Sequence, residues 1–364
     1  MDQGDTVAMS RSSAPVFVVG SSRSGTALVS ACINYTADIN VTRETHYFDD
    51  LRPKLLDRGG ETVGGSIADR AVRYFRSVDA APYGHNGDPA GSAITDAELR
   101  SLGVELGGRP DDFFAAYCTI KARHRGKTRW GEKTPRHVYR IAEILSAFPD
   151  AKVIQIVRDP RAVVASYRDY DTHGEFDEER RKAFDRDVAR ARRSYHPFLQ
   201  AWMWNSAIGM VASYRRAHGA DSVYVLRYED LVTDPEPALR ALCAFLETDY
   251  TEAMLGVAMN NSSYTRFQDR SGFSKTAAER WRKTLTDREI AAVQARCKKL
   301  MVAAGYEIEP VGRYPLTMAK LWLTLPVVAV RAVLANRSRF ASLPDYLWRR
   351  IRHAARPSRS LPSP

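Results

Sequence analysis

Cysteine is scarce in this chain: four in 364 residues, at Cys32, Cys118, Cys243 and Cys297, with no Cys-x-x-Cys pair and no metal-ligand spacing. That excludes a disulfide framework or zinc module, and implies buried thiols in a reducing compartment. Acidic side chains are outnumbered, 43 against 54 Lys and Arg, for a formal net charge of +11. The imbalance favours anionic partners. Nucleic acid is disfavoured, because no zinc-finger spacing or basic-aromatic repeat accompanies it. The first fifteen residues have no apolar signal core and carry Asp2 and Asp5, so residues 1–13 read as a disordered leader on a cytoplasmic protein. A bilayer span needs ~20 apolar residues. The run Leu321 to Val330, interrupted only by Thr324 and Pro326 and bounded by Lys320 and Arg331, is too short.

With 44% hydrophobic residues the chain can bury a sizeable core without staples. The stretch that organises it is Val16-Phe-Val-Val-Gly20-Ser-Ser-Arg-Ser-Gly-Thr26. An apolar, β-branched run enters a Gly/Ser loop, and Ala27 to Ile33 continues as a helix. Gly20 and Gly25 allow close backbone approach, and Ser22, Ser24 and Thr26 supply hydroxyls at a helix mouth. Arg23 adds a planar fork suited to phosphate or sulfate oxygens. The loop has Walker spacing but reads Gly25-Thr26 where that motif needs Gly-Lys-Ser/Thr. A phosphate loop, another ligand loop and an ordinary tight turn remain open at this point.

Further along, Asn40 to Asp49 combines a short β-prone piece with Glu44 and His46, which share a face if the piece is extended. Residues 57 to 110 are rich in Gly, Asp and Pro around a helical Ile67–Phe75, which reads as an insertion or lid. A helix capped by Asp111 or Asp112 follows, then a basic run from Lys121 to Arg129. Pro135 opens a helix whose apolar face is Val138, Ile141, Ile144 and Leu145. A second buried strand, Ala151 to Val157, ends at Arg158, and Pro160 opens a helix carrying Ser166 two turns along. Phe184, Val188, Ala191 and Tyr195 form the apolar stripe of a charged helix, and Phe198 to Tyr214 forms another. The third strand, Ser222 to Arg227, leads to a helix from Pro235 to Leu246. Repeated strand, polar edge and helix predict a parallel, doubly wound α/β sheet, where ligands bind at the C-terminal strand edge. Residues 260 to 283 are polar, with a loop able to close on an anion. Residues 331 to 364 hold eight arginines against one acidic residue, Asp345. Apolar run plus basic tail reads as packing on the domain or a partner, or as contact with an anionic membrane surface at its inner face.

Taken together, these stretches resemble the PAPS-dependent sulfotransferases (PAPS is 3′-phosphoadenosine 5′-phosphosulfate), in the style of the bacterial and Golgi carbohydrate, heparan-type branch. Ser22-Arg-Ser-Gly-Thr26 resembles the family's 5′-phosphosulfate loop, and Val157-Arg-Asp-Pro-Arg-Ala-Val-Val-Ala-Ser166 its 3′-phosphate motif. Arg227-Tyr-Glu-Asp-Leu231 with Asp234-Pro235 is another family block. Arg-Glu-Thr-His-Tyr-Phe around Glu44 is similar to the base segment Glu-x-His-Phe-Phe, and Gly131-Glu-Lys-Thr-Pro135 to Glu-Lys-Thr/Ser-Pro. The similarity covers about residues 14 to 305.

By that resemblance the fold is a P-loop-like parallel sheet flanked by helices, with helical and loop insertions. A domain over 14–310 carries an insertion at about 57–127, and 311–364 is an extension. Ser22, Arg23, Ser24, Gly25 and Thr26 would hold the phosphosulfate, Arg158 and Ser166 the 3′ phosphate, and Arg270 to Trp281 would be a lid. Glu44 would act as base, Arg23 and Lys133 would face the transferred group, and His46 is a second base or an orienter. No metal is required, and the product is adenosine 3′,5′-bisphosphate. The acceptor is a hydroxyl on a carbohydrate, a lipid-linked molecule or another small molecule. A nucleotide kinase is the nearest enzyme alternative, with Asp159 as its magnesium ligand. A non-enzymatic protein binding anionic membranes is the other. Aromatic faces that close a core or pair subunits read alike, which leaves homo-oligomers open.

Overall fold

The computed structural model describes residues 13–56, 65–80, 94–169, 185, 188–219, 221–257, 273–336 and 348. Its centre is a sheet of five parallel strands in the order β2-β3-β1-β4-β5. These are β1 (Val16–Gly20), β2 (Ile39–Thr42), β3 (Arg129–Lys133), β4 (Lys152–Val157) and β5 (Val223–Arg227). β1 is central, with Val18 beside Lys133 of β3 and Gly20 beside Ile156 of β4. The order reverses at β1, so the crevice at its C-terminal end is a topological switch point.

Strands buried on both faces need a continuous apolar run, and β1 has one. Phe17 and Val19 point into one core cluster, Val16 and Val18 into the other. The first cluster is aromatic: Phe17 and Tyr47 each stack on Phe114, and Trp130 meets Phe114 edge-on at 5.6 Å. Truncating a ring such as Phe114, fully buried, costs about 3–5 kcal/mol.

Helix α1 (Thr26–Ile33) follows β1, and two short turns, α2 (Tyr47–Asp50) and α3 (Arg52–Leu56), follow β2. Then come α4 (Gly65–Ala80), α5 (Asp96–Glu105) and α6 (Pro110–His124). A 3-10 turn, Pro135–Arg140, leads into α7 (Ile141–Ala147), so the helix expected from Pro135 starts as a tighter coil. Helix α8 (Pro160–Arg168) follows β4, and α9 (Pro197–His218) buries Trp204, Ile208 and Val211. After β5 come α10 (Tyr228–Thr233), α11 (Pro235–Leu246), α12 (Lys275–Glu279), α13 (Trp281–Thr284), α14 (Asp287–Ala303) and α15 (Pro315–Asn336). All four cysteines are buried and unpaired, and burial pushes the Cys32 thiol up to about 12.

Several expectations need correction. Strand β3 starts at Arg129, the last residue of the run read as basic, and takes in Trp130–Lys133, for which no strand was expected; its polar residues are satisfied by tertiary partners. Arg129 donates to the Ala14 carbonyl and, at 2.5 Å, to that of Leu246. Helix α5 lies inside the Gly-, Asp- and Pro-rich region, capped by Thr95 Oγ1 accepting from Glu98 N. Helix α6 is capped at Arg109 and not by Asp111 or Asp112; the Asp112 carboxylate sits at the third helical position and accepts the Arg109 backbone N–H at 2.9 Å. Helix α15 has 22 residues, because Pro315–Ala319 extends the apolar run read as too short; by length and composition alone it could cross a membrane. Residues 1–12 of the leader, the polar loop up to residue 272 with Arg270, most of the charged helix before Tyr195, and the basic tail beyond 336 except residue 348 lie outside the described residues.

Candidate active site

Each strand delivers a chemistry-bearing residue to the same C-terminal edge. After β1 the chain turns through the Ser21–Gly25 loop, where Arg23 takes a left-handed backbone, φ 73°. Gly25 also has positive φ, 97°, and a Cβ there would lie 2.4 Å from Tyr228 Cδ2. The ring of Tyr228 therefore closes over the loop only because residue 25 is glycine. Gly25 caps α1 without a side-chain acceptor, so the first helical N–H groups face the loop.

Arg158, at the end of β4, lies flat against Tyr228, its guanidinium carbon 4.4 Å from the ring centre. It donates to the Arg23 carbonyl at 3.1 Å and to the Ala277 carbonyl of α12 at 2.8 Å. Arg23 Nε in turn donates to Ser166 Oγ at 2.9 Å. The structure thus brings Arg23, Arg158 and Ser166 into one contact chain, although the resemblance assigns Arg23 to the end of the donor opposite the other two. Ser24 Oγ and Arg158 Nε are buried without a hydrogen-bond partner among the described residues. Buried polar atoms are rarely left so.

Glu44, Lys133 and His46 meet beside this loop. Lys133 Nζ donates to Glu44 Oε1 at 2.8 Å, and His46 Nε2 lies 3.5 Å from Glu44 Oε2. Neighbouring strands are about 4.8 Å apart, which puts Lys133 one strand from the β1 loop. Residues 44 and 46 do not share an extended piece as the spacing suggested: His46 is left-handed, φ 53°, at the start of α2. The Glu44–His46 bend is held from below. Glu132 is 0% exposed, and its Oε1 accepts from Thr45 N at 3.0 Å, from Thr45 Oγ1 at 2.9 Å and from Thr134 Oγ1. Its Oε2 pairs with His137 Nδ1 at 3.0 Å. Tyr74 donates to the Thr45 carbonyl at 2.6 Å, and the His46 N–H reaches Thr134 Oγ1 at 3.3 Å. Glu132 was not singled out from sequence. It stood in the Glu-Lys-Thr-Pro segment without a role of its own, and strand alternation turns it to the face opposite Lys133.

Next to this support, Asp49 and Asp50 diverge. Burial pushes the Asp49 carboxyl up, but Arg136, His137 and Arg140 outweigh it and hold it at about 2. Burial raises Asp50 to about 6, with Arg136 opposing and the charge of Asp49 adding to the rise. Asp159, the magnesium ligand of the kinase reading, is committed elsewhere. It caps α8 through Arg161 N at 2.8 Å and pairs with Arg161 Nη2 at 2.6 Å. Arg161 also lies over Trp281, 3.9 Å from the ring centre, so Trp281 is packed in the core beneath α8.

Fold and edge together define an α/β protein with a central parallel sheet whose C-terminal edge sets two arginines beside a carboxylate–lysine pair. A model described as "Sulfotransferase family" matches residues 15–252, and the chain belongs to that family. "Carbohydrate sulfotransferase 2" of Homo sapiens is 34% identical over 191 residues, 43% of this chain and 35% of the relative. The protein of that name from Mus musculus matches to the same extent. The chain therefore spans about a third of the length of these two relatives. Among solved structures, the sulfotransferase domain from the Synechococcus PCC 7002 olefin synthase is similar at 20% identity and a TM-score of 0.49. It covers 82% of this chain and 97% of that one. The sulfotransferase STF9 from Mycobacterium avium aligns at 14% identity and a TM-score of 0.41, over 82% and 78% of the two chains.

Proposed function

We propose that the chain transfers a sulfuryl group from PAPS to a hydroxyl on a carbohydrate, glycolipid or other small acceptor. One observation carries the reading: Arg23 on the loop after β1, Arg158 just past β4 and Ser166 in α8 share an edge with Glu44, after β2, and Lys133, the last residue of β3. The orphaned Ser24 Oγ and Arg158 Nε fit a donor with several anionic oxygens. In this reading Arg158 and Ser166 hold the 3′ phosphate, and the Ser22–Thr26 backbone with Arg23 holds the phosphosulfate. The acceptor oxygen bonds to sulfur as the bond from sulfur to the bridging phosphate oxygen breaks, and adenosine 3′,5′-bisphosphate leaves with that electron pair. Glu44 takes the hydroxyl proton. Lys133 and Arg23 counter the charge that develops on the sulfuryl and leaving oxygens. His46, within 3.5 Å of Glu44, orients the carboxylate.

The names of the human and mouse relatives support a sugar hydroxyl as acceptor. The narrower heparan-type likeness rests on the segment from Glu44 to Phe48. Labelled PAPS incubated with the enzyme and a cell extract tests the reaction. Label should enter an acceptor with or without EDTA, and Glu44→Gln should lower turnover by roughly a hundredfold or more while product affinity holds. Dependence on divalent metal, or full turnover in the Gln variant, would contradict this assignment.

A further inference from the structure

Helix α15 stands apart from the catalytic edge; from Pro315 to Ala335 it is apolar except for Thr317, Lys320, Thr324 and Arg331, and none of those residues is fully buried. A helix of that kind in a water-soluble body requires a cover. Two of its residues near the middle, Trp322 and Thr324, contact the body. Trp322 meets Phe198 edge-on at 5.4 Å and lies under Arg296 at 4.9 Å, and Thr324 Oγ1 is 3.2 Å from His196 Nε2. On the face turned away, Leu316, Leu323, Val327, Val330 and Leu334 recur at steps of seven, four, three and four, which is one stripe on an α-helix. They are 58% to 86% exposed. Lys320 and Arg331, both exposed, fall along one edge of that stripe. Beyond them the sequence from 332 to 364 carries seven arginines and one acidic residue.

We infer that this face of α15 lies in the plane of an anionic phospholipid bilayer, its apolar stripe among the acyl chains and Lys320 and Arg331 at the headgroups. Charge selects this cover over a second copy of the chain, because pairing two such faces would bring like charges together. Attachment selects the in-plane orientation over a span. Residues 322 and 324 are about 10–14 Å from the start of the helix at 1.5 Å per residue. A perpendicular helix would therefore drag Arg296 and the start of α9 into the hydrocarbon layer, where a charged side chain is costly.

Flotation of the purified full-length chain with vesicles tests this. Binding to phosphatidylcholine–phosphatidylglycerol vesicles should exceed binding to phosphatidylcholine alone by roughly tenfold or more, and high salt should release it. The double variant Leu323→Asp, Val327→Asp should lose roughly tenfold or more in vesicle affinity with an unchanged thermal unfolding curve. Absence of flotation would overturn the inference. So would equal binding to neutral vesicles that survives alkaline carbonate, which marks a spanning helix, or a dimer in sedimentation that the double variant abolishes.

Discussion

Glu132→Gln is the most informative single change in the site, because it keeps shape and removes charge beneath the proposed base. The carboxylate collects three donors on Oε1 and the His137 imidazole on Oε2. Hydrogen bonds to a charged acceptor contribute about 1.5–3 kcal/mol each, against about 0.5–1.5 for neutral pairs. A glutamine whose amide oxygen keeps the three donors loses about 1 kcal/mol on each, about 3 kcal/mol in all. His137 can meet the new amide N–H by moving its own proton to Nε2, an atom with no partner among the described residues. Glu132→Ala would instead orphan four buried donors at about 1–3 kcal/mol each, a loss comparable to a domain's whole stability of ~5–15 kcal/mol. Urea unfolding measures the stability change, and steady-state kinetics separates kcat from product affinity. The expected pattern for Gln is a midpoint shift worth about 3 kcal/mol, a fall in kcat as the Glu44–His46 bend loosens, and little change in adenosine 3′,5′-bisphosphate affinity. A Gln variant as stable and as active as the parent would refute the support role.

Asp50 carries a pH signature. Its folded-state value of about 6 lies above the ordinary 3.8, so its ionisation on folding costs stability above pH 6, and that cost disappears as pH falls towards 4. Asp50→Asn should stabilise the protein at pH 7.5 by about 1–3 kcal/mol and have no such effect near pH 4; denaturant titrations at the two pH values check it. Gly25→Ala places a Cβ against Tyr228 at a backbone angle that alanine resists. We expect the variant to fold with a displaced loop and to lose at least tenfold in affinity for adenosine 3′,5′-bisphosphate, read by calorimetry.

What was legible in the sequence follows from how locally each signal is written. Val16 to Thr26 and Val153 to Ser166 carry an apolar run, a breaker and a helix opener in consecutive residues, and both strand–loop–helix units formed as read. Strand β3 was hidden because Arg129, Glu132 and Lys133 break the apolar pattern of a buried strand, whereas Arg129 and Glu132 are buried by partners distant in sequence, Ala14 and Leu246 for one and Thr45 for the other. Lys133 was identified, but its pairing with Glu44 depends on a crossover that sets β3 between β1 and β2. Arg23 and Ser166, 143 residues apart, were read as opposite grips and are hydrogen-bonded to each other. On α15, Lys320 and Arg331 read as borders of a short run; on the helix they line one edge of a longer one.

The central claim is that the edge between β1 and β4 grips a bisphosphorylated adenosine. Calorimetric titration of adenosine 3′,5′-bisphosphate against adenosine 5′-monophosphate, on the parent chain and on Arg158→Ala, tests it most directly. The parent should prefer the bisphosphate by at least tenfold, and Arg158→Ala should erase that preference while still binding the monophosphate. Equal affinity of the parent for both nucleotides, or a preference that survives loss of the Arg158 guanidinium, would contradict the account.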